Sequence, residues 1–130
     1  MADDALGAAR EGAAADPAYA EAFARVMADP GELLAVAELD GAVVGCLQIG
    51  IIPGLSRRGQ TRGQIEGVRI AGPMRGRGLG RAMILWALEQ CRARGCGLVQ
   101  LTTDKRRADA HRFYERLGFV ASHEGMKIVL

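Results

Sequence analysis

One run of seven residues, RGRGLGR, has the residue types and the spacing to bind an anion. Its alternating glycines keep side chains away from the backbone, so a bulky group can come close. The pattern after the run predicts a helix, whose first N–H groups and dipole attract anions. Guanidinium groups add forked donors that suit phosphate oxygens. The run therefore predicts a binding site for a phosphate-bearing ligand. The residues predicted to form this site are Arg75, Gly76, Arg77, Gly78, Gly80 and Arg81.

Two common nucleotide-binding motifs do not fit this run. The dinucleotide fingerprint G-x-G-x-x-G would require glycine at position 81, where the chain has Arg81. A nucleoside-triphosphate P-loop would require a Gly-Lys pair, which the sequence lacks. The alternative to a binding site is a tight strand-to-helix turn with solvated arginines.

The elements around the run predict a mixed sheet covered by helices, in the order β-β-β-α-β-α-β-β. Asp16-Pro17 predicts the start of a helix within the alanine-rich residues 1–30, and Asp40-Gly41 predicts a two-residue hairpin turn. The segment 53–63 is predicted to be a loop rich in glycine and arginine. The predicted strands are Leu33–Leu39, Ala42–Ile49, Gln64–Ile70, Leu98–Thr102, Phe119–Ser122 and Met126–Leu130, and the later helices are Leu79–Ala93 and Ala108–Leu117.

Length and composition narrow the classes of function. The 130 residues fit one domain, and no apolar run approaches the ~20 residues of a membrane span, so no membrane partner is expected. Three cysteines without metal-ligand spacing predict reduced thiols in the cytoplasm and no metal. An oxidised pair of Cys91 and Cys96 is the alternative. Residues 51–130 hold fifteen basic and six acidic side chains, which could face nucleic acid, an anionic cofactor or solvent.

The order Arg-x-x-Gly-x-Gly, from Arg75 to Gly80, resembles the acyl-coenzyme-A signature of the GNAT family of N-acetyltransferases. The preceding segment QIEGVRI and the later run from Ala110 to Phe119 resemble further motif blocks of that family in order and spacing. The resemblance covers roughly residues 32–130. It implies an α/β (α+β, three-layer) GNAT fold with a mixed central sheet flanked by helices. It also implies a single domain over residues 1–130, in which 1–31 are a helical N-terminal segment and 32–130 hold the acetyl-CoA site.

The resemblance implies a role for each matching position. The backbone amides of Arg77, Gly78, Gly80 and Arg81 would cradle the pyrophosphate, beside Arg75 and Gly76. The main chain of Val68 and Ile70 would pair with the pantetheine arm, which lies between two parallel strands that splay apart. The Val68 N–H would also polarise the thioester carbonyl. Tyr114 would be the general acid that protonates the departing thiolate; a core aromatic is the alternative for this residue.

The acetyl acceptor is expected to be a primary amine, and its attack requires a base. A lysine-type amine has a pKa near ~10.4, so a proton must be removed before the amine can attack. Glu66 is the best candidate base because it is predicted to share a strand face with Val68 and Ile70, with Ile65 and Arg69 on the other face. The alternative is an ordinary strand carboxylate paired with an arginine.

The sequence departs from the family pattern in two places. Many members carry Asn where this chain has Arg107, which puts a pantetheine contact there in question. Only 31 residues precede the first predicted family-matching strand, so the family's first strand is expected to be missing. Leu33–Leu39 would then be an exposed edge strand, which predicts a homodimer through strand pairing.

Two other classes of function stay open beside the acetyltransferase. A non-catalytic acyl-CoA-binding or sensing module would keep the binding turn without turnover. A nucleic-acid binder would use the run Lys105-Arg106-Arg107, although no nucleic acid is the expectation. His111 is predicted to be solvated, and His123 to be an ordinary loop residue.

Overall fold

The computed structural model describes residues 12–130, which form two compact units, 12–100 and Leu101–Leu130. Four strands make one mixed sheet in the order β1-β2-β3-β4, flanked by helices. Two short helical turns, Ser56–Gly59 and Gly72–Met74, lie in the connections. The strands are β1 (Glu32–Leu39), β2 (Ala42–Ile52), β3 (Arg62–Ile70) and β4 (Leu98–Leu101), and the longer helices are α1 (Pro17–Ala28), α2 (Leu79–Ala93) and α3 (Ala108–Arg116).

The predicted hairpin is confirmed. Asp40 and Gly41 have φ angles of 51° and 78°, the left-handed conformation that a two-residue hairpin turn requires. The ladder of β1 and β2 runs from Glu32 opposite Gly50 to Leu39 opposite Ala42. In the sheet that the structure describes, β1 is an edge strand, as predicted.

The sequence signals for the start of α1 and the end of α2 are confirmed by the structure. At the start of α1, the Asp16 side chain accepts a hydrogen bond from the Ala18 N–H at 2.9 Å, and Pro17 follows it. Helix α2 has the predicted bounds, and Gly95, whose φ is 75°, follows just after its end. The Cys96 N–H then donates to the Cys91 carbonyl at 3.0 Å, which satisfies an orphan carbonyl of the last turn.

The core lies between the sheet and α2. One face of β2 and β3 is apolar and contacts α2, while the opposite face carries Gln48, Gln64 and Glu66. Such a helix-on-sheet layer is stabilised by the removal of apolar surface from water. The buried apolar side chains are Val44, Leu47, Ile49, Ile65, Met83, Ile84, Ala87 and Cys91.

Strands β3 and β4 run parallel. The Gly97 N–H donates to the Thr61 carbonyl at 3.0 Å, and the Gln100 Nε2 donates to Gln64 Oε1 at 2.7 Å. Residue numbers therefore rise together along both strands, as the helical connection through α2 requires.

The prediction of two strands after α3 is wrong. Residues 119–130 form no strand, and Val120 and Ile128 are 80% and 85% exposed. Their β-branched composition suits a strand, but a ladder also requires a neighbouring strand and a face to bury. Within Leu101–Leu130, α3 is the only element of more than a few residues.

Candidate functional site

The glycine-rich turn leaves the N-terminus of α2 open. Gly76 and Gly78 have φ angles of 74° and 81°, and a β-carbon on either would meet nothing within 4 Å. The Ala82 N–H donates to the Gly78 carbonyl at 3.1 Å. The three amides before Ala82 have no carbonyl one turn earlier in the helix, and Gly78 offers no side-chain cap. These exposed donors fit a phosphate oxygen, as the sequence predicts for this turn.

The arginines of the turn add positive charge around those amides. The Arg75 Nε donates to the Ile70 carbonyl at 3.3 Å, which ties the turn to the end of β3. Arg77 Nη1 lies 3.3 Å from Met74 Sδ. In the part of the chain that the structure describes, neither Arg77 nor Arg81 forms an ion pair with a carboxylate. Their charge therefore adds to the positive end of the helix dipole.

A β-bulge interrupts β3 beside the turn. Cys46 of β2 pairs with Arg69 and Gln48 pairs with Glu66, so two residues, Gly67 and Val68, stand opposite one. Gly67 has a φ of 60°, the conformation that a glycine-containing bulge uses. The extra residue reverses the alternation of faces in the second half of the strand.

The predicted faces of β3 are therefore wrong beyond Glu66. Ile70 pairs with Gly45, and a β-carbon on Gly45 would approach both the Ile70 side chain and Met83 of α2. Ile70 thus lies on the α2 side, while Arg69 shares the face of Glu66 because directly paired residues project to the same side. The prediction failed because strict alternation holds only in an uninterrupted strand.

Two main-chain carbonyls of β3 already accept hydrogen bonds from arginine. The Val68 carbonyl accepts from Arg69 Nη1 at 3.2 Å, and the Ile70 carbonyl accepts from Arg75. A carbonyl oxygen has two lone pairs, so one bond to arginine does not by itself use up either oxygen. These groups lie at and after the bulge in β3.

Glu66 is exposed and lines a small cavity on the polar face of the sheet. No arginine or lysine forms an ion pair with it among residues 12–130, so the alternative of an arginine-paired carboxylate has no support there. The cavity has a volume of about 130 Å³. Its lining residues are Glu32, Gln48, Gly50, Ile52, Gln64 and Glu66.

Tyr114 lies in the second unit, on α3. Its ring packs edge-to-face against Phe113, with centroids 5.1 Å apart, and against Phe119 at 5.7 Å. Edge-to-face pairs of this kind stabilise by about 0.5–1.5 kcal/mol beyond their buried area. The phenol is therefore held in a fixed direction on its helix.

The basic run of the second unit is largely engaged with neighbouring carboxylates. Lys105 Nζ lies 3.5 Å from Glu124 Oε1, and Arg106 donates two hydrogen bonds to Asp104, at 2.9 and 2.8 Å. Hydrogen bonding to Asp104 raises the pKa of Arg106. The lysine and arginine side chains stay exposed, so these are surface ion pairs that contribute little to stability.

The two histidines differ in their surroundings. His111 is not solvated as predicted: its Nε2 is buried and has no hydrogen-bond partner among the described residues. Neighbouring residues of a helix point in different directions, so His111 can be half-buried although the next residue, Arg112, is exposed. His123 is exposed, and its Nδ1 lies 2.8 Å from the Ser122 hydroxyl.

All three cysteines are free thiols. Cys91 is fully buried, and this burial, followed by the neighbouring Cys96, raises its pKa to about 11. A thiol that stays protonated is a poor nucleophile, so Cys91 does not suit covalent catalysis.

Sequence reasoning missed Glu32, Gln48 and Gly50 as members of the site. They come from the first two strands, and only the register brings them beside Glu66. The one signal present was Gly50 within an apolar strand pattern, because an isolated glycine there often marks a close approach. Among residues 12–130, no three His, Cys, Asp or Glu side chains gather as a metal site, and none of the helices could span a membrane.

Comparison with known proteins finds similarity over most of the chain. The model of the acetyltransferase (GNAT) family matches residues 3–119. An aminoalkylphosphonate N-acetyltransferase of Salmonella typhimurium is 35% identical over 106 residues, which are 82% of this chain and 68% of that protein. A glucosamine 6-phosphate N-acetyltransferase of Trypanosoma brucei brucei is 37% identical over 90 residues, 69% of this chain and 59% of that protein.

A solved structure is similar over the whole chain. The crystal structure of a transcriptional regulator from Bacillus halodurans C-125 superimposes with a TM-score of 0.94 at 46% sequence identity. The alignment covers 100% of this chain and 88% of that one.

Proposed function

The chain belongs to the acetyltransferase (GNAT) family, and we propose that it transfers an acetyl group from acetyl-coenzyme A to a primary amine by direct attack. The observation that carries this proposal is the open N-terminus of α2, with its exposed amides and arginines, beside the bulged strand that bears Glu66. An anion site and a carboxylate without an ion-pair partner are the two features that such a transfer needs from the protein.

The groups proposed to bind acetyl-coenzyme A lie in the glycine-arginine turn and at the end of β3. The amides of Arg77, Gly78, Gly80 and Arg81 would hold the pyrophosphate, with Arg75, Arg77 and Arg81 supplying charge and Gly76 keeping the approach open. The main chain of Val68 and Ile70 would pair with the pantetheine arm. When bound, acetyl-coenzyme A supplies the activated thioester.

The proton transfers are assigned to two side chains. A Glu66 carboxylate oxygen would take a proton from the ammonium form of the acceptor, directly or through water. The amine nitrogen then forms a bond to the acetyl carbon while the carbon–sulfur bond breaks, with the Val68 N–H stabilising the negative charge on the carbonyl oxygen. The Tyr114 hydroxyl would protonate the leaving sulfur, and the proton that the nitrogen loses on becoming an amide would restore the phenol. The products are an N-acetylated amine and the free thiol, with one proton released to solvent.

We propose that the acceptor amine also carries a phosphonate or phosphate group. Two relatives are named for such acceptors, an aminoalkylphosphonate and glucosamine 6-phosphate. Arg62 supports this class, because its Nε is buried without a hydrogen-bond partner in the described part of the chain. Arg62 and Glu66 lie four residues apart on one face of β3, about 13 Å at the usual rise per residue. A guanidinium at one end and a carboxylate at the other suit a molecule with both charges.

We also propose that residues 1–130 act as one domain in the cytoplasm and form a homodimer. The family match across residues 3–119 supports one domain, and the free thiols support a reducing compartment. An apolar groove of about 280 Å³ beside edge strand β1 supports the dimer, since Val36 and Trp86 in it are 61% and 41% exposed.

Calorimetric titration with acetyl-coenzyme A, together with an assay for released thiol over a panel of primary amines, tests the function. We expect micromolar binding and amine-dependent release of thiol. Binding without release for any amine would favour the acyl-CoA-sensing module instead, and absence of binding would refute both.

A further inference from the structure

We infer that the cavity above Gly50 is the pocket that receives the aminoalkyl end of the acceptor, and that Glu32 and Gln48 determine its specificity. This inference rests on the proposed function and names the part of the protein that selects its amine. It assigns a binding role to residues outside the glycine-arginine turn and the acid and base named above.

The cavity exists because Gly50 has no side chain. Gly50 is buried in the middle strand of three, with Glu32 as its partner on β1 and Gln64 as its partner on β3. Side chains of directly paired residues stand on the same face, so Glu32 and Gln64 form opposite walls. Gln48 and Ile52, two residues away on β2, form the two ends.

A hydrogen bond fixes the Glu32 carboxylate over the floor of the cavity. Gln48 Nε2 donates to Glu32 Oε2 at 2.8 Å. The other oxygen, Oε1, would be 3.0 Å from a β-carbon built on Gly50. The carboxylate is therefore held by one oxygen, which leaves Oε1 to accept from a ligand.

The charge of the lining selects a cation. Glu32 and Glu66 are its ionisable residues, and no basic side chain lines it. Two carboxylates and two carboxamides give acceptor oxygens on several sides, which match the three N–H donors of a primary ammonium group. Glu66 also lies directly opposite Gln48, so an ammonium held by Glu32 is next to the proposed base.

The size of the cavity limits what can enter. Its volume of about 130 Å³ is below the ~300 Å³ at which pockets for whole small molecules begin. It is several times the ~30 Å³ share of one water molecule, so a short aminoalkyl chain fits. The remainder of the acceptor would stay outside, on the face that Arg62 shares.

The test measures binding of 2-aminoethylphosphonate to the full chain saturated with coenzyme A, by calorimetry, so that no turnover is needed. Glu32→Gln removes the charge at nearly constant volume, and Gly50→Ala fills the floor of the cavity. Glu38→Gln is the matched control, because Glu38 is an exposed carboxylate of the same strand outside the cavity. Thermal melts check that each variant is folded.

We expect Glu32→Gln and Gly50→Ala each to weaken binding of the phosphonate at least tenfold. Glu38→Gln and wild type should agree within twofold, and all four proteins should bind acetyl-coenzyme A with the same dissociation constant within twofold. Unchanged phosphonate binding in both cavity variants would overturn the inference, as would a wild type that does not bind the phosphonate. If the wild-type protein does not bind acetyl-coenzyme A, the proposed function is refuted instead.

Discussion

The sulfur of Cys91 fills the space that a side chain on Gly63 would need, so β3 and α2 meet there without room for a β-carbon. Val99 of β4 borders the same space. This contact sets how closely the helix approaches the strand that carries Glu66. We therefore expect Gly63→Ala to lower the free energy of unfolding by about 1–3 kcal/mol, the usual cost of overpacking a core.

Urea unfolding measures this change, and Cys91→Ala provides the control. Removing the sulfur makes room for the new methyl group, so the double variant should lose less stability than the sum of the two single changes. Additive losses would mean that Gly63 is required for another reason.

Burial raises the pKa of the Cys91 thiol to about 11, with the neighbouring Cys96 as the second cause. At pH 8 we expect iodoacetamide to modify Cys46 and Cys96 well before Cys91, because the thiolate is the reactive form. Mass spectrometry of peptides follows the reaction, and in urea all three cysteines should react at similar rates. Equal rates in the folded protein would contradict the buried assignment.

The same pKa shift predicts how stability depends on alkaline pH. The folded state keeps Cys91 protonated, whereas the unfolded thiol titrates near its ordinary pKa of 9.0. The stabilisation is therefore complete below pH 9 and is lost as the pH rises towards about 11. Cys91→Ala should show a smaller decline over this window in urea unfolding.

The N-terminus of α2 is expected to govern affinity for acetyl-coenzyme A. Gly78→Asp combined with Arg75→Ala places a negative charge among the open amides and removes a guanidinium, so we expect the dissociation constant to rise at least tenfold. Calorimetry measures it. Gly41→Asp is the matched control, because Gly41 has a similar φ of 78° and also open space around it. Equal effects in both would assign the loss to backbone strain.

Tyr114→Phe should lower kcat while leaving the KM for acetyl-coenzyme A nearly unchanged. The ring contacts with Phe113 and Phe119 do not involve the hydroxyl, so these contacts should persist in the variant, and a thermal melt checks its stability. Loss of a general acid typically costs about 10²-fold or more in rate. A kcat within threefold of wild type in steady-state kinetics would remove Tyr114 from the proposed mechanism.

A lysine at position 36 is expected to make the protein monomeric. Val36 lies on the β1 edge and borders the apolar groove, so Val36→Lys places a charge where the second copy would pair. Light scattering coupled to size exclusion measures the mass. Val120→Lys, at an 80% exposed position in the other unit, should leave the dimer intact. A wild-type monomer at high concentration would refute the dimer.

Elements marked by local signals could be predicted from the sequence. Asp40-Gly41, Asp16-Pro17 and Gly95 each determine a conformation within a few residues of themselves, and the structure confirms all three. The segment 119–130 could not be predicted in the same way, because strand formation depends on a partner that is distant in sequence.

The candidate site also has one part that the sequence predicts and one part that it does not. Its glycine-arginine turn is continuous in sequence and was visible as a motif. The cavity above Gly50 was not visible, because Glu32, Gly50 and Gln64 become neighbours only through the register of three strands. The bulge at Gly67 had a local sign, an isolated glycine in a strand pattern, but its effect on the faces depends on the partner strand.

That bulge also constrains how the gene can change length. Before Gly67 the residues of β3 alternate in one phase, and after Val68 they alternate in the other. A deletion of one codon at Gly67 or Val68 would restore a regular ladder with Arg69 still opposite Cys46, so Ile70 would stay on the side of Met83. A deletion elsewhere among the nine residues of β3 would instead move the residues on one side of it to the opposite face. We therefore expect β3 to tolerate the loss of a codon at the bulge better than at any other position in the strand.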